Sequence, residues 1–133
     1  MEDYWTLLRK NRDTISEATH RKIACSFARL VWNDLDELGK KAKIVAEEYS
    51  SGNSTMEDCE EYKKQLQKSL PGNGKSSVYS PIIWALQESS ASYPMWYSAA
   101  IAGSNIIELE AATERELFSI VKNYLTQEID DKW

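Results

Sequence analysis

The sequence predicts an all-α fold: one domain over residues 1–133, built as a bundle of about six helices around a central small-residue and aromatic helix. Three observations predict it. Gly and Pro number only five and three, too few for the tight turns of a sandwich or barrel. Apolar residues recur at spacings of three and four along several stretches, the period of a helix with one buried face. Apolar residues also make up 42% of the chain, with five Trp and seven Tyr. At this length roughly two thirds of the unfolded surface can be buried without a disulfide or metal staple.

Met1–Asn11 predicts a short helix with Tyr4, Leu7 and Leu8 on one side. From Ser16 to Leu38, Ile23, Phe27, Leu30, Val31, Leu35 and Leu38 keep helical spacing, with Ser16 as a weak cap and Gly39 as an end or a bend. Lys40–Ser51 repeats the pattern through Ala42, Val45, Ala46 and Tyr49, and Gly52 falls where a glycine closes a helix. Ser54-x-x-Glu57 is a capping box, and Thr55-x-x-Asp58 is a second helix start one residue later. The helix that follows, to about Ser69, shows Cys59, Tyr62 and Leu66 as a narrow apolar stripe on a charged, outward-facing surface.

Leu70–Ser77, LPGNGKSS, predicts a flexible loop that divides a charged half from an aromatic half. Ser80-Pro81 and Tyr93-Pro94 each place Pro at the first position of a helix, giving Pro81–Ser89 and a helix from Pro94 onward. The apolar period from Ala99 passes through Thr113 to Tyr124, so Pro94–Glu128 is read as one long or bent helix. The alternative is two helices meeting near Ala112, where Thr113-x-x-Glu116 forms a further capping box. The tail, IDDKW, is expected to fray.

The formal net charge is −5. An acidic chain repels phosphate backbones, and Lys40, Lys41 and Lys43 are followed directly by Glu47 and Glu48, so nucleic-acid binding is not expected. The N-terminus, MEDYW, has acidic residues where an export signal carries basic ones, which predicts a cytoplasmic protein with Cys25 and Cys59 as free thiols. No apolar run is long enough to span a membrane.

Between Ser76 and Ile107 the sole charged residue is Glu88. Ala99, Ala100, Ala102, Gly103 and Ser104 let a neighbouring helix approach closely, and the stretch reads as a helix surrounded by others. The rival reading is a binding surface, because Trp and Tyr are enriched at interface hot spots and a buried Tyr hydroxyl needs a partner. Trp84, Tyr93, Trp96 and Tyr97 are the residues that such a surface would use.

No catalytic, metal or cofactor constellation emerges. His20 is the single histidine, and with Cys25 it lacks an orienting third group, so it reads as a surface residue near a helix start. Glu47-Glu48 and Glu57-Asp58-x-Glu60-Glu61 have Lys43 and Lys64 one turn away, the pattern of a solvated helix face. PGNGK at Pro71–Lys75 lacks the length and the Ser/Thr of a phosphate-binding loop. Arg21 and Arg29 read as structural, each able to pair with an acid and fix helix register.

Arg21, Ala24-Cys25, Arg29, Trp32, Ala42, Ala46-Glu47, Tyr49 and Gly52 resemble a motif of a large family of uncharacterised bacterial all-helical proteins, as does Ala99–Leu125 with Glu114-Arg115. The resemblance covers about two thirds of the chain. Phe27 and Ala28 stand where that family carries further Cys beside the arginine, so no metal or redox role is carried over. The arrangement is also similar to all-helical immunity proteins encoded beside bacterial polymorphic toxins, which bind and block a toxin domain.

The resulting expectation is a non-enzymatic protein-binding module, with no cofactor, that occludes a partner with a basic surface. Asp34, Asp36 and Glu37 would attract that partner, and Trp84, Tyr93, Trp96 and Tyr97 would anchor it. The alternatives are an oligomeric subunit, such as a homodimer, joined through its aromatic half; an enzyme working through carboxylates; and a bundle binding a small ligand at Trp84, Trp96 and Tyr97.

Overall fold

The structure, a computed structural model, describes residues 2–70 and 77–131. Within them the protein is all-α, with seven helices and no strand: α1 (Tyr4–Lys10), α2 (Glu17–Arg29), α3 (Glu37–Ser50), α4 (Met56–Lys68), α5 (Ser80–Ala85), α6 (Met95–Glu108) and α7 (Glu114–Asp131). The expected loop at Leu70–Ser77 lies, apart from its two end residues, outside the described residues, as do the last two residues of the tail. The first three residues of that tail continue α7 to Asp131.

Local chemistry sets the helix starts. Asp3 accepts from the Thr6 N–H, and Ser16 from the Thr19 N–H at 3.1 Å. At α4 the box one residue further on is used: Thr55 Oγ1 accepts from the Asp58 N–H, and Asp58 accepts from the Thr55 N–H. Ser54 instead donates its hydroxyl to the Val45 carbonyl. Gly52, at φ +81°, closes α3 with the Asn53 N–H on Glu48 O and the Gly52 N–H on Tyr49 O.

Two expected long helices are each broken. The Ser16–Leu38 period ends at Arg29, and a 3-10 turn over Trp32–Asp34 leads to α3, which starts three residues before Lys40. The cause is Asp36, whose carboxylate accepts from the Gly39 N–H at 2.9 Å and so opens a new helix. Gly39 therefore sits in the first turn of α3, not at a helix end.

The Pro94–Glu128 helix is likewise two. α6 closes when the Ala111 N–H reaches Ile106 O and the Glu110 N–H reaches Ile107 O, a Schellman pair that needs a left-handed residue at Glu110, φ +58°. Thr113 and Glu116 then cap α7 reciprocally.

The core forms around α2 and α6 together. α2 packs against α3, α5, α6 and α7, and α6 against α1, α2 and α5. The two helices run in the same direction: His20 and Met95 border one cleft, while further along Phe27 lies against Gly103. α6 is thus enclosed by α1, α2 and α5, with Ile107 on its last turns exposed. Small residues make the approach possible. A methyl group at Gly103 would lie 2.6 Å from Cε2 of Tyr4 and 3.1 Å from Cε2 of Phe27.

Tyr4 is fixed there by two bonds. Its hydroxyl donates to Ala100 O at 2.9 Å, and its backbone N–H to Glu114 at 2.7 Å, tying α1 to both α6 and α7. Arg21 is buried to 1% exposure and donates to Ala85 O at 2.6 Å, joining α2 to α5. Its guanidinium also stands 4.7 Å from the centre of the Tyr49 ring on α3.

Candidate functional site

Seven aromatic rings run in edge and stacked contact from the core to the surface. Phe27 and Tyr4 are buried and meet at 5.8 Å, and Tyr4 meets Trp5 at 6.4 Å. Trp5 meets Tyr97 at 5.7 Å, and Tyr97 meets both Trp96 (5.7 Å) and Tyr93 (6.2 Å). Tyr93 meets Trp84 at 5.6 Å. Helices α1, α2, α5 and α6 each supply rings, with Tyr93 from the turn before α6. Trp5, Trp84, Trp96 and Tyr97 are half-buried and Tyr93 is exposed. The inner rings fill the core, whereas the outer ones form a stiff apolar edge open to solvent.

Beside Trp96 lies a cleft of about 300 Å³. Asp13, Glu17, Arg12 and His20 line it, so its ionised side chains carry more negative than positive charge at neutral pH. Asp13 has 94% of its side chain exposed, and Arg12 approaches it only to 3.9 Å. Glu17 faces Arg21 at 3.7 Å.

His20 departs from the expected surface position: it is buried to 2% exposure. Its Nε2 lies 3.2 Å from the Arg12 carbonyl, and burial holds its pKa below the ordinary value. It forms no pair with Cys25, which belongs to a different cleft and whose thiol burial pushes up to about 12. Cys59 is also a buried free thiol, raised in pKa by the same cause.

A second, polar cleft of about 230 Å³ lies between α2, α3 and α7, lined by Lys22, Ser26, Arg29, Lys43, Glu47 and Tyr124 among others. Lys43 is 2% exposed and bonds Glu47 one turn on, with its ammonium 5.3 Å from the Trp32 ring centre. Arg29 reaches Glu47 only at 3.9 Å, and its side chain is 72% exposed, so it is an open contact rather than a buried ion pair. The Ser26 and Tyr124 hydroxyls are 2.7 Å apart on the wall.

The structure gathers Trp84, Tyr93, Trp96 and Tyr97 into one cluster but does not add the acidic trio to it. Asp34, Asp36 and Glu37 are exposed beyond the C-terminal end of α2, whereas Trp96 borders its N-terminal end. Asp36 accepts from the Tyr79 hydroxyl, which raises Tyr79 to about 12 and lowers Asp36; Glu37 pairs with Lys41 at 3.0 Å. Asp36 thus serves as a helix cap and Glu37 as a helix-face partner.

The carboxylates that do border the rings, Asp13 and Glu17, and the ring of Trp5 escaped sequence reasoning. Trp5 carried one signal: it is a large apolar residue off the Tyr4–Leu8 stripe of its own helix. Asp13 carried none, being one acid in a polar connection.

Among the described residues no cluster of His, Cys, Asp and Glu could hold a metal, and no helix is long and apolar enough to cross a membrane. No family model matches the chain, and no curated protein or solved structure matches it.

Proposed function

We propose that this protein is a cytoplasmic binding module that occludes a basic partner protein, as an immunity or regulatory factor does, without catalysis of its own. The observation that carries the reading is the ring edge Trp84–Tyr93–Tyr97–Trp96–Trp5 standing beside the carboxylate-lined cleft of Asp13 and Glu17. Rigid amphipathic rings are strong anchors because few torsions are lost on docking. The adjoining carboxylates, on a chain of net charge −5, favour a Lys- or Arg-rich surface and speed its encounter. The resemblance to helical immunity proteins points the same way.

The test is growth protection on co-expression with the product of the adjoining gene, a toxin under this reading. Wild-type protein is expected to protect. Tyr93→Ser and Asp13→Lys are each expected to weaken the complex, the former by about thirtyfold or more if Tyr93 is a hot spot. Absence of protection, or full affinity in both variants, overturns the proposal. So does a dimer that persists at nanomolar concentration in sedimentation and covers the same rings, which would make them a self-interface.

A further inference from the structure

We propose that the polar cleft between α2, α3 and α7 is a binding site for a phosphate dianion, free or as the head of a small phosphomonoester. Lys22, Arg29 and Lys43 bring three positive charges to it and Glu47 one negative charge. Lys43 is buried and bonded to Glu47, so those two neutralise each other and form the floor. Lys22 and Arg29 are left to set the field of the cleft, an excess of two positive charges in an acidic chain.

Arg29 is placed to use that charge. Its 3.9 Å approach to Glu47 exceeds hydrogen-bond length, and its guanidinium carries five N–H donors in a planar fork suited to phosphate oxygens. The wall adds a hydroxyl donor. In the Ser26–Tyr124 bond one hydroxyl gives its proton to the other, and the accepting hydroxyl keeps a proton for a ligand oxygen. Cations in a fork, a hydroxyl donor and an excess of two charges match a tetrahedral dianion better than a single carboxylate.

Two wider grooves open from the same arginine. One passes Trp32, Asn33 and Ile44, and the other passes Leu30 and Ile120. Both have room for an organic group attached to the phosphate. This site is separate from the aromatic edge and stands or falls without it.

Calorimetric titration at a fixed ionic strength of about 0.15 M tests the inference, with inorganic phosphate and phenyl phosphate as probes. Saturable binding of phosphate with a Kd of about 1 mM or lower is expected. Arg29→Gln is expected to weaken it about tenfold or more, and Ser26→Ala by a smaller factor. Arg9→Gln, which removes an exposed charge from α1, is expected to leave it within about twofold. Tighter binding of phenyl phosphate assigns the grooves to an organic moiety, and equal binding assigns free phosphate. No saturation of either probe by about 10 mM, or equal losses in Arg29→Gln and Arg9→Gln, overturns the proposal.

Discussion

Phe27→Ala is expected to lower the unfolding free energy by about 3–5 kcal/mol, a large share of what a domain of this size holds. Phe27 is fully buried on α2, the helix that touches α3, α5, α6 and α7. Its ring closes the inner end of the aromatic chain against Tyr4 and lies against Gly103. Truncation leaves a cavity that cannot collapse easily, because Tyr4 is held at both its hydroxyl and its backbone N–H. Chemical denaturation reads the loss as a lowered midpoint at unchanged slope. A cost below about 1 kcal/mol would remove Phe27, and α2 with it, from the centre of the core.

Gly103→Ala is expected to destabilise by about 1–3 kcal/mol, although Ala is the better helix former by about 1 kcal/mol. The reason is steric. The new methyl would stand 2.6 Å from Cε2 and 3.0 Å from Cζ of Tyr4, in a ring that cannot swing away while its hydroxyl is bonded to Ala100 O. The sign of the effect is the test. In a Tyr4→Ala background the nearer obstacle is gone and only the 3.1 Å approach to Phe27 Cε2 remains, so the same substitution is expected to cost less, with a net effect within about 1 kcal/mol of zero. Destabilisation of equal size in both backgrounds would show that the close approach of α1 to α6 is not what Gly103 serves.

The fold class was legible because long amphipathic periods and scarce turn residues speak directly for helices. Capping chemistry was legible too where it stands alone, as at Gly52, whereas at α4 two overlapping boxes competed and Thr55, not Ser54, is the cap. The break after Arg29 was not legible, and the one near Ala112 showed only as an alternative through the Thr113-x-x-Glu116 box, because hydrophobic spacing continues straight across both. At Asp36 a single carboxylate ends the period, and nothing at the level of spacing sets it apart from a solvated acid. At Glu110 a left-handed turn is made without the glycine that normally announces one.

The site was half legible. The scarcity of charge over Ser76–Ile107, where Glu88 stands alone, pointed to Trp84, Tyr93, Trp96 and Tyr97, which do cluster. The acidic component is tertiary in origin: Asp13 and Glu17 reach the rings because α2 and α6 run side by side in one direction, a relation that no local pattern encodes. His20 was misplaced on the same account, since the Arg12 carbonyl comes against its ring, and the start of α6 onto the same cleft, through tertiary packing alone.

The central claim is that the aromatic chain has two parts, an inner one that builds the core and an outer one left over for a partner. The unfolding free energy of Tyr93→Ser tests it most directly, since that ring is 42% exposed at the outer end. A change within about 1 kcal/mol of wild type is the predicted result. A loss of about 3 kcal/mol or more, matching Phe27→Ala, would make the outer rings part of the core and contradict the claim.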